Sequence, residues 1–122
     1  LLVVLVQIIL GTQVRENMDH VIKALGEGAK DQWVENLDLG YIIHRTFSWV
    51  ILLCHLILWK KLAESPLQTY RKGILVLIGI SLGTGILMAY FALPLGSQAV
   101  HLLISLVLIG WHIGSWIQTK NA

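Results

Sequence analysis

Four of the five histidines of this 122-residue chain fall in one repeated pattern. His44, Ser48, Val50, His55 and Trp59 recur, at an offset of 57, as His101, Ser105, Val107, His112 and Trp116. Within each stretch the histidines are 11 residues apart. On a helix that is about three turns plus 20°, so they lie nearly in line, roughly 16 Å from one another. Both stretches are apolar, and a histidine in hydrocarbon is costly unless it faces the protein interior and finds a partner. Two neutral imidazoles at one depth on facing helices can ligate a haem iron from both faces. They can equally tie the helices together by hydrogen bonds. His44 with His101, near one boundary, form the first candidate pair. His55 with His112, about one turn from the opposite boundary, form a second. Arg45 stands where the propionates of a macrocycle would meet the interface, a task suited to its planar fork, or else it snorkels to lipid headgroups. His20 lies in a polar stretch, either solvated or lining the entrance of a cofactor pocket.

The composition requires these histidines to sit in a membrane. The chain is 56% hydrophobic and 13% charged, with a mean hydropathy of +0.72. Those values and long uncharged runs mark a membrane protein rather than a small soluble domain. A net charge of +2, widely dispersed, does not suggest a nucleic-acid partner. The single cysteine, Cys54, excludes an intrachain disulfide and a thiolate cluster, and reads as a small buried or lipid-facing hydrophobe.

Four apolar spans are expected, at about 1–14, 39–59, 73–92 and 97–118. The first is short for a full crossing. It starts without a methionine, a basic stretch or a cleavage site, and reads as a chain cut inside or just before a helix. Between the first two spans, residues 15–38 form the one long polar stretch. There Met18, Val21, Ile22 and Leu25 have helical spacing, with Asn17 placed to cap and Gly26 to terminate. This predicts a short amphipathic helix on the bilayer surface, followed by Trp33 as an interfacial anchor. Ser65-Pro66 and Leu93-Pro94-Leu95-Gly96 read as turns. Basic residues concentrate after the second span and at the C-terminus. The positive-inside rule therefore puts both termini in the cytoplasm and loop 15–38 outside.

Residues 8–14 also echo residues 80–86, so the chain reads as two helix pairs of the same orientation. The expected fold is all-α: a single integral membrane four-helix bundle over 1–122, made of two parallel helix-pair repeats. A pseudo-two-fold axis along the membrane normal sets the second span opposite the fourth. Gly79-x₃-Gly83 and Gly110-x₃-Gly114 offer small faces for close packing. Paired carboxylates, a Glu-x₂-His motif, a nucleophile–histidine–carboxylate set and a phosphate loop are all absent from the spans.

Gln7-Ile8-Ile9-Leu10-Gly11-Thr12-Gln13-Val14-Arg15, then His44-Arg45, then Leu93-Pro94-Leu95-Gly96-Ser97-Gln98-Ala99-Val100-His101 resemble the haem A synthase family, and its C-terminal half more closely. The resemblance implies one four-helix half of an eight-helix protein that oxidises a methyl group of haem O to the formyl group of haem A. It implies haem b as cofactor, His44 and His101 as its axial ligands, and Arg45 as part of its site; His55 and His112 acquire no role from it. It further implies haem O as substrate, a multi-pass place in the bacterial cell membrane, and haem O synthase or cytochrome oxidase assembly proteins as partners. An N-terminal half or further copies of the chain would complete the protein. The family's catalytic half carries Glu-x₂-His-Arg, and Tyr41 stands at the glutamate position here. The outer-loop cysteine pair of some members is also missing. Two other readings compete. One is a b-type cytochrome with one or two bis-histidine haems. The other is a structural or assembly membrane protein whose histidines only join helices.

Overall fold

The computed structural model describes residues 1–61, 68–91 and 96–121. The expected turns at Ser65-Pro66 and Leu93-Pro94-Leu95 lie outside them. The described residues are all-helical or loop. Helix α1 runs over Leu2–Leu25, α2 over Leu39–Lys61, α3 over Gln68–Tyr90 and α4 over Ser97–Asn121, with a short 3₁₀ segment at Glu27–Gln32. Helices α2, α3 and α4 are each long and apolar enough to cross a membrane.

Helix α1 corrects the expectation of a separate surface helix. It passes through Val14 and Asn17 without a break and stops only at Gly26, whose φ of 79° permits a helix end that a β-carbon would oppose. Asn17 is consequently mid-helix and caps nothing there; its Oδ1 accepts the backbone N–H of Asp38, 3.0 Å away. The amphipathic pattern was real, but its apolar stripe extends α1 rather than opening a new helix. That stripe packs on the loop beyond. Trp33 is 4% exposed against Met18 and Val21, and its indole N–H donates to the Gly26 carbonyl at 3.1 Å. It therefore folds the loop back onto α1 instead of anchoring in the interface, because the same ring can satisfy both its apolar face and its donor inside the protein.

Helix α3 begins five residues before the expected start at Gly73, which puts Arg71 inside it. Arg71 is buried, lies 5.3 Å over the Trp59 ring and donates to the Trp59 carbonyl at 2.9 Å. The last carbonyls of a helix lack intrahelical partners and carry partial negative charge, so a guanidinium from the next helix both caps and neutralises the end of α2.

Around the interior α1 packs on α2 and α4, and α3 packs on α4 and α2. Helices α2 and α4 stand diagonally, with no backbone approach within 8 Å among the described residues. Val4, Ile51, Ile78 and Leu108, one from each helix, make the central apolar layer. Ile51 and Leu108 keep the offset of 57 that relates the histidines. For α1 and α3 the buried positions correspond differently from the sequence echo: Val4 with Ile78 and Gly11 with Gly85 differ by 74, against 72 for residues 8–14 and 80–86. Two residues turn a helix by about 200°, so the sequence echo matches opposite faces.

Of the four glycines expected to make close contacts only Gly114 does, and Gly73 joins it. A β-carbon on Gly79, Gly83 or Gly110 would meet nothing within 4 Å, whereas one on Gly73 would collide with the Trp111 ring and one on Gly114 would sit 3.4 Å from Tyr70. The Trp111 indole donates to the Tyr70 carbonyl at 2.9 Å, which locks this α3–α4 contact. Replacing Trp33 with alanine is expected to destabilise the protein by about 3 kcal/mol, the usual cost of emptying a core tryptophan site. Trp49→Ala, at a site 55% exposed, should change little. Thermal unfolding of the detergent-solubilised variants checks the difference.

Candidate functional site

The in-line histidines of α2 and α4 make two polar layers with the apolar layer between them. In the first layer His44 and His101 are half-buried on the diagonal helices α2 and α4. Each faces a glycine on the neighbouring helix of its own hairpin. A β-carbon on Gly11 would come within 3.1 Å of His44 Cε1, and one on Gly85 within 3.6 Å of His101 Cε1. The approach is tight at Gly11, where a side chain would push on the His44 ring, and an ordinary van der Waals contact at Gly85. Ser48 and Ser105 each donate to the carbonyl four residues back, those of His44 and His101, at 2.9 Å in both cases.

Hydrogen bonding in this layer is incomplete and unequal. Nδ1 of His101 lies 2.8 Å from Oγ1 of Thr84. Nδ1 of His44 is buried with no partner. Gln7 reaches over from α1, its amide donating to Ser48 Oγ and, at 3.1 Å, to the His44 carbonyl, while its Oε1 is also buried and unpartnered. Buried polar atoms are ordinarily satisfied, so the two orphans beside the His44 imidazole are hydrogen-bonding capacity that the described residues leave unused. Imidazoles carried on diagonal helices are groups of the kind that can ligate a haem iron from two sides.

In the second layer the two rings meet, and a pocket lined also by Tyr70, Arg71, Ile74 and Trp116 opens beside them. Nε2 of His55 and Nε2 of His112 are 2.9 Å apart, with ring centroids 5.1 Å apart and planes at 88°. Each Nδ1 lies against its own helix, at 2.7 Å from the Ile51 carbonyl and 2.8 Å from the Leu108 carbonyl. Both rings are buried and each is engaged at both nitrogens. A macrocycle with iron at its centre cannot stand between two atoms already in hydrogen-bond contact.

Arg45 is exposed near the N-terminal end of α2, and His20 is exposed on α1. Among the described residues the ion pair found joins Lys30 to Glu27, well away from Arg45. Among the described residues, too, there is no group of three or more His, Cys, Asp and Glu side chains that could hold a separate metal ion. Cys54 is exposed, as a lipid-facing residue would be. Gln7 and Thr84 are the site residues that sequence reasoning passed over. The signal was there in their polarity within apolar runs, but the face that each presents depends on the α1 and α3 registers.

The direct contact of the second layer is expected to appear as a coupling of about 1 kcal/mol between His55→Leu and His112→Leu. A double-mutant cycle on unfolding in detergent measures it, and strictly additive effects would mean that the contact is not made.

A model of the COX15-CtaA family, described as cytochrome oxidase assembly protein, matches residues 1–113. No curated protein and no solved structure matches the chain. The match takes in both histidine layers, two of the three apolar spans and most of the third, and this chain therefore belongs to the COX15-CtaA family, the haem A synthase family of cytochrome oxidase assembly proteins.

Proposed function

We propose that this chain is the haem b-binding half of a haem A synthase, built as a membrane four-helix bundle of two helix-pair repeats. The observation that carries the reading is the first layer, where His44 and His101 stand on the diagonal helices α2 and α4 and two buried polar atoms lack partners. Family membership supplies the wider frame, a role in haem A synthesis for cytochrome oxidase. In this reading His44 and His101 would hold the haem iron, and haem b, when bound, would supply one-electron chemistry to the oxidation of the haem O methyl group.

The chain's own residues have defined tasks. The diagonal placing of α2 and α4 presents the imidazoles from two sides. Gly11 and Gly85 give the rings room, and the layer of Val4, Ile51, Ile78 and Leu108 excludes water beneath them. Arg45, exposed at the outer end of α2, pairs with propionates there. His55 and His112 are structural, joining α2 to α4 at the other end. Their mutual contact favours this single-haem reading over a b-type cytochrome with two stacked haems.

Lys60, Lys61, Arg71, Lys72 and Lys120 gather at one end of the helices, which supports a cytoplasmic location for that end and an outside location for residues 15–38. Haem O is the proposed substrate, and the N-terminal half of the protein or a second copy of the chain is the proposed partner that receives it. Haem O synthase and cytochrome oxidase assembly proteins are proposed neighbours in the bacterial cell membrane.

A reduced-minus-oxidised spectrum with haem extraction tests the ligand assignment. Wild type is expected to show a low-spin b-type signal near one haem per chain. His44→Ala and His101→Ala should each abolish it, and His55→Ala should retain it. Haem that survives both outer substitutions would overturn the assignment.

A further inference from the structure

We propose that Thr84 is the positioning residue for His101, fixing its tautomer so that Nδ1 carries the proton and Nε2 is presented bare to the interior. The significance of that bare nitrogen rests on the reading of His101 as an iron ligand; the hydrogen-bond argument does not. Thr84 Oγ1 lies 2.9 Å from the Ser81 carbonyl on its own helix and 2.8 Å from His101 Nδ1 on the next. A carbonyl oxygen only accepts, and a hydroxyl has one proton to give. That proton goes to Ser81, which leaves the hydroxyl only lone pairs to offer His101. Nδ1 must then be the donor. The reverse assignment would turn the hydroxyl proton toward a bare Nδ1 and leave two oxygen lone pairs facing each other at 2.9 Å with nothing between.

The arrangement is specific to one side of the site. In the α1–α3 correspondence given by burial, Thr84 falls opposite Leu10, an apolar residue, and His44 Nδ1 has no partner. The threonine of α1, Thr12, is exposed and donates to the Ile9 carbonyl instead. His101 is thereby oriented by a hydroxyl chain, whereas His44 is held by packing against Gly11. A ligating histidine that donates its second ring N–H is a more basic ligand and is held in the right tautomer before the metal arrives. The two imidazoles are thus inequivalent in advance: His101 is the preorganised ligand and His44 the adjustable one.

Nitrogen-15 NMR of the full chain with labelled histidine, without added haem and at mildly alkaline pH, reads the tautomer directly, with His101→Ala identifying the resonances. Wild type and Thr84→Ser are expected to show His101 protonated at Nδ1 and bare at Nε2, and Thr84→Val to move toward the Nε2-protonated form. Haem titration of the same proteins should show Thr84→Val binding about 10- to 100-fold more weakly and Thr84→Ser close to wild type. A wild-type His101 protonated at Nε2, or a Thr84→Val protein with unchanged tautomer and affinity, overturns the proposal. Wild type that binds no haem but has His101 in the stated tautomer would sink the ligand reading of the previous subsection and leave the role of Thr84 supported.

Discussion

An imidazole carries two ring nitrogens that need partners, and inside an apolar assembly the only partners are other parts of the protein or a bound group. Four such rings stand along the inner faces of α2 and α4, and much of the architecture can be understood as the way each is accommodated. The pair at His55 and His112 consumes its own polarity: each ring has a carbonyl on its helix and the other ring across the diagonal. The pair at His44 and His101 does not. That difference separates a layer in which every ring nitrogen is engaged from one that holds unpartnered polar atoms, although the two pairs are repeats of one sequence pattern.

What makes them different lies mostly on the flanking helices. Around His44 and His101, α1 and α3 contribute Gln7, Gly11, Thr84 and Gly85, small or polar residues that leave space and offer hydrogen bonds. Between the two layers they contribute Val4, Ile74 and Ile78, which pack against Ile51 and Leu108 and keep the layers apart. Near His55 and His112, the end of α2 is held by Arg71 and the α3–α4 seam by Trp111 against Gly73. At that end the diagonal rings meet beside a pocket lined by Tyr70, Arg71, Ile74 and Trp116, while at the other end Gly11 and Gly85 lie against the rings.

Packing in lipid gains little from the hydrophobic effect between helices, so van der Waals fit and interhelical hydrogen bonds must supply specificity. The contacts bear this out. Trp111 to Tyr70, Arg71 to Trp59, Gln7 to Ser48 and Thr84 to His101 are side-chain bonds that cross from one helix to another. Outside the apolar spans the logic reverts to that of a water-soluble core. There Trp33 covers Met18 and Val21, and the loop folds back on the end of α1.

The sequence by itself determined the helical class, the three strongly apolar spans and the shared face of the four histidines, because each depends only on local composition and on a period of about 3.6 residues. It also carried the family resemblance that the match over residues 1–113 bears out. The tertiary structure alone decided the continuation of α1 through Asn17, the inward turn of Trp33, the entry of Arg71 into α3, and the correspondence of α1 with α3 at 74 rather than 72 residues. A local pattern cannot say whether an amphipathic stripe starts a helix or continues one, nor which of two similar registers faces inward. Those choices are made by what lies across the interface: the Trp33 ring over α1, the α2 carbonyl that Arg71 reaches, and the His44 imidazole close against Gly11.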